Sequence, residues 1–93
     1  MNKLNSLIIE GSVIRTSREK EVFYFTLKTE CTYKVNDEVK TEVSCFDVMA
    51  YGKLADLCES RCEQGDNVRV VGRLKQKGDR VFILAEHVEV RKK

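Results

Sequence analysis

Four basic side chains, Arg69, Arg73, Lys75 and Lys77, recur at every second or fourth position of one short run. On an extended chain that spacing puts all four on one side, because successive side chains of a strand point to opposite faces. A row of cations of this kind suits a phosphate backbone passing alongside. Tyr24 and Tyr51 fall on the polar-facing side of two other extended runs. Their rings offer planes on which unpaired bases stack, at about 1–3 kcal/mol per base. The same charges also fit an ordinary solvated strand face, and the same rings a subunit contact.

Catalytic chemistry finds far less to work with. It needs converging groups, such as a nucleophile with a base, paired carboxylates or a metal. His87 is the only histidine and sits in a strand-like run between Glu86 and Glu89, where a solvated imidazole is expected. Glu59 and Glu63 lie one helical turn apart and read as a solvated face. The five glycines are isolated at bends and turns, so no phosphate-cradling loop is present. Cys31, Cys45, Cys58 and Cys62 match no zinc-ligand spacing, and Cys58 and Cys62 are expected as buried, reduced thiols. The expectation is therefore no enzyme, no cofactor and no metal.

The elements that position these groups follow from a change of hydrophobic period. From Val43 to Tyr51 apolar and polar positions alternate in steps of two, with Phe46, Val48 and Ala50 on one face and Cys45, Asp47, Met49 and Tyr51 on the other. Gly52 breaks this strand. Leu54, Leu57, Cys58 and Cys62 then recur at three and four, as one stripe of a short helix. Two strands precede this unit, Leu4 to Arg15 (with Leu7, Ile9, Gly11 and Val13 on one face) and Glu21 to Glu30 (with Phe23, Phe25 and Leu27 inward). Thr16 to Lys20 reads as a polar turn. Cys31 to Thr41 is either an extended hairpin or a loop, with Asn36-Asp37 at its tip.

After the helix, Gly65 reads as a left-handed cap. Val68 to Lys77 forms a fourth strand, with Val68, Val70 and Leu74 inward, and Gly78-Asp79 a tight turn. Arg80 to Arg91 is the fifth, with Phe82, Leu84, Val88 and Val90 in phase. One helix between a third and a fourth strand is the order of a small all-β barrel of five strands.

Composition sets outer bounds. The 93 residues, 42% hydrophobic, read as one domain that buries roughly 60–65% of its unfolded surface, with the last two or three residues trailing off. No apolar run reaches membrane-spanning length and no signal-peptide pattern opens the chain, so a cytoplasmic protein is expected. The net charge of +2 is too small to imply a polyanion partner. Its distribution is more telling: Val68 to Arg80 is strongly basic, whereas Glu30 to Glu42 is acidic.

Several segments, in order, resemble the bacterial single-stranded DNA-binding protein family. LNSLIIEGSV (Leu4 to Val13) is similar to that family's opening strand with its internal glycine, and FTLKT (Phe25 to Thr29) to its second strand. VMAYGKLADLCESRCEQGDNVRVVGRLK (Val48 to Lys75) resembles its aromatic-Gly-Lys-Leu-Ala turn into the helix and the valine-rich strand ending Gly-x-Leu. AEHVEV (Ala85 to Val90) resembles the closing strand. The resemblance implies an OB-fold barrel, a base-stacking aromatic at Tyr51, a phosphate-contacting lysine at Lys53, and Lys75 and Lys77 on a basic hairpin. It also implies a homo-oligomer, dimer or tetramer.

The departures are specific. There is no tryptophan; Cys45 and Asp47 stand where the family offers a tryptophan and a basic residue. The hairpin after strand four is short, and the basic Arg91-Lys92-Lys93 is no acidic C-terminal tail.

The expectation is thus a five-stranded OB-fold barrel that binds single-stranded DNA without catalysis in replication, recombination or repair, cytoplasmic and associated with the nucleoid. Tyr24 and Tyr51 would stack bases, and Lys53, Arg69, Arg73, Lys75 and Lys77 hold phosphates. About five such contacts give a salt slope of roughly −3 to −4 on a log–log plot. The alternative is an OB-fold protein-interaction module or accessory subunit of a primosome-like replication complex, favoured by Asp47 and the missing tryptophans.

Overall fold

Alternation of Phe23, Phe25 and Leu27 with polar neighbours fixes the wall on which the other strands are laid. All three are buried, and they belong to strand β2 (Val22–Val35) of a computed structural model that describes residues 3–92. The other elements are β1 (Leu7–Glu19), β3 (Glu38–Tyr51), α1 (Gly52–Arg61), β4 (Asn67–Lys77) and β5 (Arg80–Arg91). The strands close in the order β1-β2-β3-β5-β4, with β1 returning to pair with β4. Every pairing is antiparallel except the short parallel one between β3 and β5. This is the five-stranded OB fold, with its single helix between β3 and β4.

Closure brings strands into such close approach that two positions admit no side chain. A Cβ on Gly11 would lie 2.5 Å from the carbonyl oxygen of Lys28 in β2, and one on Gly72 would lie 2.2 Å from that of Leu84 in β5. The ambiguous stretch from Cys31 to Thr41 is an extended hairpin, paired without interruption from Val22↔Tyr51 to Val35↔Glu38. Its tip, Asn36-Asp37, takes positive φ at both positions (51° and 66°). Asn and Asp tolerate that conformation, and a two-residue turn that follows the strand twist requires it.

Two bulges change the phase of the strands. Ile14 is an extra residue of β1 between the Val13↔Leu27 and Arg15↔Thr26 pairs. Glu86 is an extra residue of β5 between the Gly72↔Ala85 and Val71↔His87 pairs. The second bulge corrects the expectation that Phe82, Leu84, Val88 and Val90 share a face. Ile83, Ala85 and Val88 belong to the core, while Phe82 and Leu84 turn to the other side.

The barrel is also shorter than its strands. Leu74 and Phe46, in phase with the core, lie beyond its rim at 51% and 42% exposure, whereas Met49, on the opposite face, is fully buried between Tyr24 and Leu84. Strand β1 continues through the segment expected as a turn, to Glu19, and begins at Leu7 rather than Leu4.

Helix α1 closes one end of the barrel with Ala55 and Cys58, and Cys62 caps it in extended geometry. Leu57, expected on this stripe, is 43% exposed. The Cys58 thiol donates to the Cys62 sulfur, which pushes Cys58 up and Cys62 down; burial pushes Cys58 further up. Gly65 is left-handed as expected, but sits three residues past the cap and donates its N–H to the carbonyl of Val13.

Of the two lysines expected to trail off, Lys93 lies outside the described residues and Lys92 is held. Its Nζ donates to Oδ2 of the buried Asp66 at 2.9 Å, and the same oxygen accepts the Glu63 N–H at 3.0 Å. That hydrogen bond to the carboxylate raises Lys92 above its ordinary 10.5. The stability it adds is complete below that value and is lost as pH climbs through the raised one. Asp66→Ala removes the carboxylate and strands the Glu63 N–H, so urea unfolding should show a loss of about 2 kcal/mol. An unchanged midpoint would show that the clasp is idle. Among the described residues, no helix is long and apolar enough to cross a membrane.

Candidate nucleic-acid interface

Strands β2 and β3 present their outer face between the β1–β2 and β4–β5 hairpins, and this is where the molecule is hollowed. A cleft of about 580 Å³ is lined by Arg15 to Ser17 and Glu19 of β1, Tyr24 to Thr26 of β2, Asp47 of β3, Lys77 of β4, and Arg80 and Phe82 of β5. The β2–β3 face flanked by these two loops is the binding side of the OB architecture.

The β4–β5 hairpin supplies one wall, and its turn fixes which side chains share it. Gly78 takes φ 65° and the two-residue turn pairs Lys77 with Arg80 and Lys75 with Phe82. Cross-strand partners share a face, so cations and ring point the same way. Phe82 packs against Tyr24 with ring centroids 6.2 Å apart and planes at 55°, and the Arg80 guanidinium lies 4.9 Å from the Phe82 centroid. Next to this pair, Lys75 Nζ sits 5.3 Å from the Tyr51 ring, which is 40% exposed. Phe82 is itself buried and backs the half-buried Tyr24, so Tyr24 and Tyr51, with Arg80 and Lys75 beside them, make a surface on which stacked bases and phosphates can alternate.

The floor is polar. Arg15 Nε donates to Thr26 Oγ1 at 3.2 Å; Thr26 Oγ1 donates to Asp47 Oδ1 at 2.8 Å; Arg80 Nη2 donates to Asp47 Oδ2 at 2.9 Å. Thr26 is buried, and Asp47 is hydrogen-bonded through both oxygens. The carboxylate is therefore not a bare negative charge facing the cleft.

The cationic ridge expected along β4 is divided. Lys77 lines the cleft and Lys75 covers Tyr51 beside it. Lys53 is exposed in the first turn of α1, two residues after Tyr51. Arg73 points to the same side but lies 4.0 Å from Glu86. Arg69 belongs to another part of the surface: it pairs with Glu10 of β1 at 3.4 Å, beside Asn67 and Arg91. Of the seven residues expected, the structure brings Tyr24, Tyr51, Lys75 and Lys77 together, keeps Lys53 close in the chain, and holds Arg69 and Arg73 against acids.

Arg15, Arg80 and Phe82 were missing from that set. Counting back from the Gly78-Asp79 turn pairs Phe82 with Lys75 and Arg80 with Lys77, so the signal for these two was in the sequence. Nothing local marks the Ile14 bulge that turns Arg15 to the cleft.

The profile of the single-strand binding protein family matches residues 4–85. No curated protein sequence matches the chain significantly. Similar solved structures include a Plasmodium falciparum SSB in complex with ssDNA, at 18% identity over 99% of this chain and 96% of that one, with a TM-score of 0.78. The PriB protein of Ralstonia solanacearum is 14% identical over 94% and 97%, at 0.77. The small single-stranded DNA-binding protein of Streptomyces coelicolor is 21% identical over 96% and 94%, at 0.71. At such identities the structural likeness establishes the fold alone.

Proposed function

We propose that this chain, which belongs to the single-strand binding protein family, binds single-stranded DNA along the β2–β3 cleft without transforming it. The observation that carries this reading is the wall formed by the Tyr24–Phe82 ring pair, Arg80 and Lys77, continued by Tyr51 under Lys75. The similar Plasmodium falciparum chain, solved with ssDNA, supports it. Bases stack on Tyr24 and Tyr51, with the buried Phe82 backing Tyr24, while Arg15, Lys53, Lys75, Lys77 and Arg80 face phosphates. Five contacts to a single strand give a slope of about −3.5 in log Kobs against log salt. Fluorescence anisotropy with labelled oligo-dT between low and moderate salt measures it, and a slope near zero removes the electrostatic mechanism.

On this reading the protein serves replication, recombination or repair in the cytoplasm, at the nucleoid. It works as a homo-oligomer. Support comes from the β2–β3 arm beyond the barrel, where Tyr33, Val35, Val39 and Val43 are exposed on a two-stranded ribbon that has little stability of its own. Multi-angle light scattering should return a mass at least twice the 10.7 kDa of the chain; a monomer at micromolar concentration contradicts it.

A second reading, a protein-interaction module of a replication complex, draws on the pairing of Arg69 and Arg73 with Glu10 and Glu86. Such a module would keep its partner when the cleft lysines are reversed.

A further inference from the structure

The cleft reaches its ligand with one of its best cations already engaged. Arg80 lies over Phe82, where a base and its phosphate would come, yet its Nη2 is held by Asp47 Oδ2 at 2.9 Å. Asp47 is itself fixed from the other side by Thr26 Oγ1, which accepts in turn from Arg15 Nε. One carboxylate thus ties two arginines of the cleft, one directly and one through a hydroxyl. The Arg80 side chain is 66% exposed and that of Asp47 34%. An ion pair this open to water is weak and can be exchanged for another anion without a large penalty. A phosphate offers the same planar fork an equivalent partner.

We propose that Asp47 is an internal competitor for the DNA phosphate. It holds Arg80 in the empty cleft and gives it up when a strand binds, so that this one residue sets how tightly the cleft grips. The proposal rests on the reading of the cleft as a single-strand site and assigns that site its regulating residue. Asp47 does not touch the ligand; it acts through Arg80. General repulsion between a carboxylate and DNA would have the same sign, but it would not depend on Arg80.

The test is a double-mutant cycle on the intact protein, read by anisotropy with labelled oligo-dT across a salt series. Asp47→Asn keeps the shape and the Thr26 hydrogen bond but weakens the hold on Arg80. It should bind about two- to fivefold tighter, as expected for release of an exposed pair. Its salt slope should stay near −3.5, because Arg80 faces a phosphate in the complex with or without the competing carboxylate. In the Arg80→Gln background the same substitution should leave the affinity unchanged. An equal gain in both backgrounds, or weaker binding by Asp47→Asn, overturns the proposal.

Unmodified protein gives an independent check against misfolding of the variants. The carboxylate carbon signal of Asp47 should move on saturation with oligo-dT, and an unmoved signal on a saturated sample overturns the latch. If the unmodified protein does not bind oligo-dT at all, it is the single-strand reading that fails, and the cycle identifies that case at its first titration.

Discussion

Lys75→Glu combined with Lys77→Glu will weaken binding of oligo-dT by about 100-fold at low salt and flatten the salt slope by about 1.4, two phosphate contacts' share. The effect is large because both reversals fall on one wall. Lys77 lines the cleft beside Arg80, and Lys75 crosses the Tyr51 ring, where its loss also removes a cation from an aromatic plane. A glutamate there places negative charge where a stacked strand must bring its phosphates. Stability should hardly change, since both side chains are exposed and neither supports the core. Circular dichroism melting and anisotropy on the same samples separate the two quantities. Unaltered binding would move the interface away from the β4–β5 hairpin and leave the protein-interaction reading in front.

Gly72→Ala acts on the scaffold instead, and its expected cost is about 3 kcal/mol. The added Cβ would sit 2.2 Å from the carbonyl oxygen of Leu84, 3.0 Å from its carbon and 3.3 Å from the Cα of Ala85. These are main-chain atoms of a paired strand, beside the Glu86 bulge, and cannot rotate away as a side-chain tip would. For a chain of this size such a loss lowers Tm by roughly 15 °C. Gly78→Ala is the control. Nothing lies within 4 Å of its Cβ position, so it bears only the strain of φ 65°, about 1–2 kcal/mol. Equal losses at the two sites would mean that β4 and β5 do not approach as closely as described.

How much of this was legible depends on the distance over which each signal acts. Phe23, Phe25 and Leu27 declare themselves because a strand with one wet face must alternate, and the Asn36-Asp37 and Gly78-Asp79 tips declare their turns by residue chemistry. The Ile14 and Glu86 bulges have no local signature. Each inserts one residue and inverts the face of what lies beyond it, which is why Arg15 is not expected at the cleft and why Phe82 reads as in phase with Val88 unless it is counted from the Gly78-Asp79 turn. Arg69 lies apart from the cleft for another reason: its partner, Glu10, is brought to it only by the β1–β4 seam. Spacing along one strand reveals which cations share a side, but not which acids another strand will set against them. Met49 shows the same limit from the apolar side, since a strand flanked by Tyr24 and Leu84 buries what alternation assigns to solvent.

That seam also governs how the chain reaches its final shape. Leu7 meets Gly72 and Ser12 meets Asn67, so the first strand waits for the fourth before its second edge is satisfied. On a translating ribosome, the nascent chain can zip the β1–β2–β3 meander early, yet it carries an open flank until β4 emerges from the exit tunnel. Pairings between such remote positions are slow to form, and an unsatisfied flank invites the wrong neighbour. Premature termination before Gly72 should therefore yield an insoluble fragment rather than a smaller binding protein.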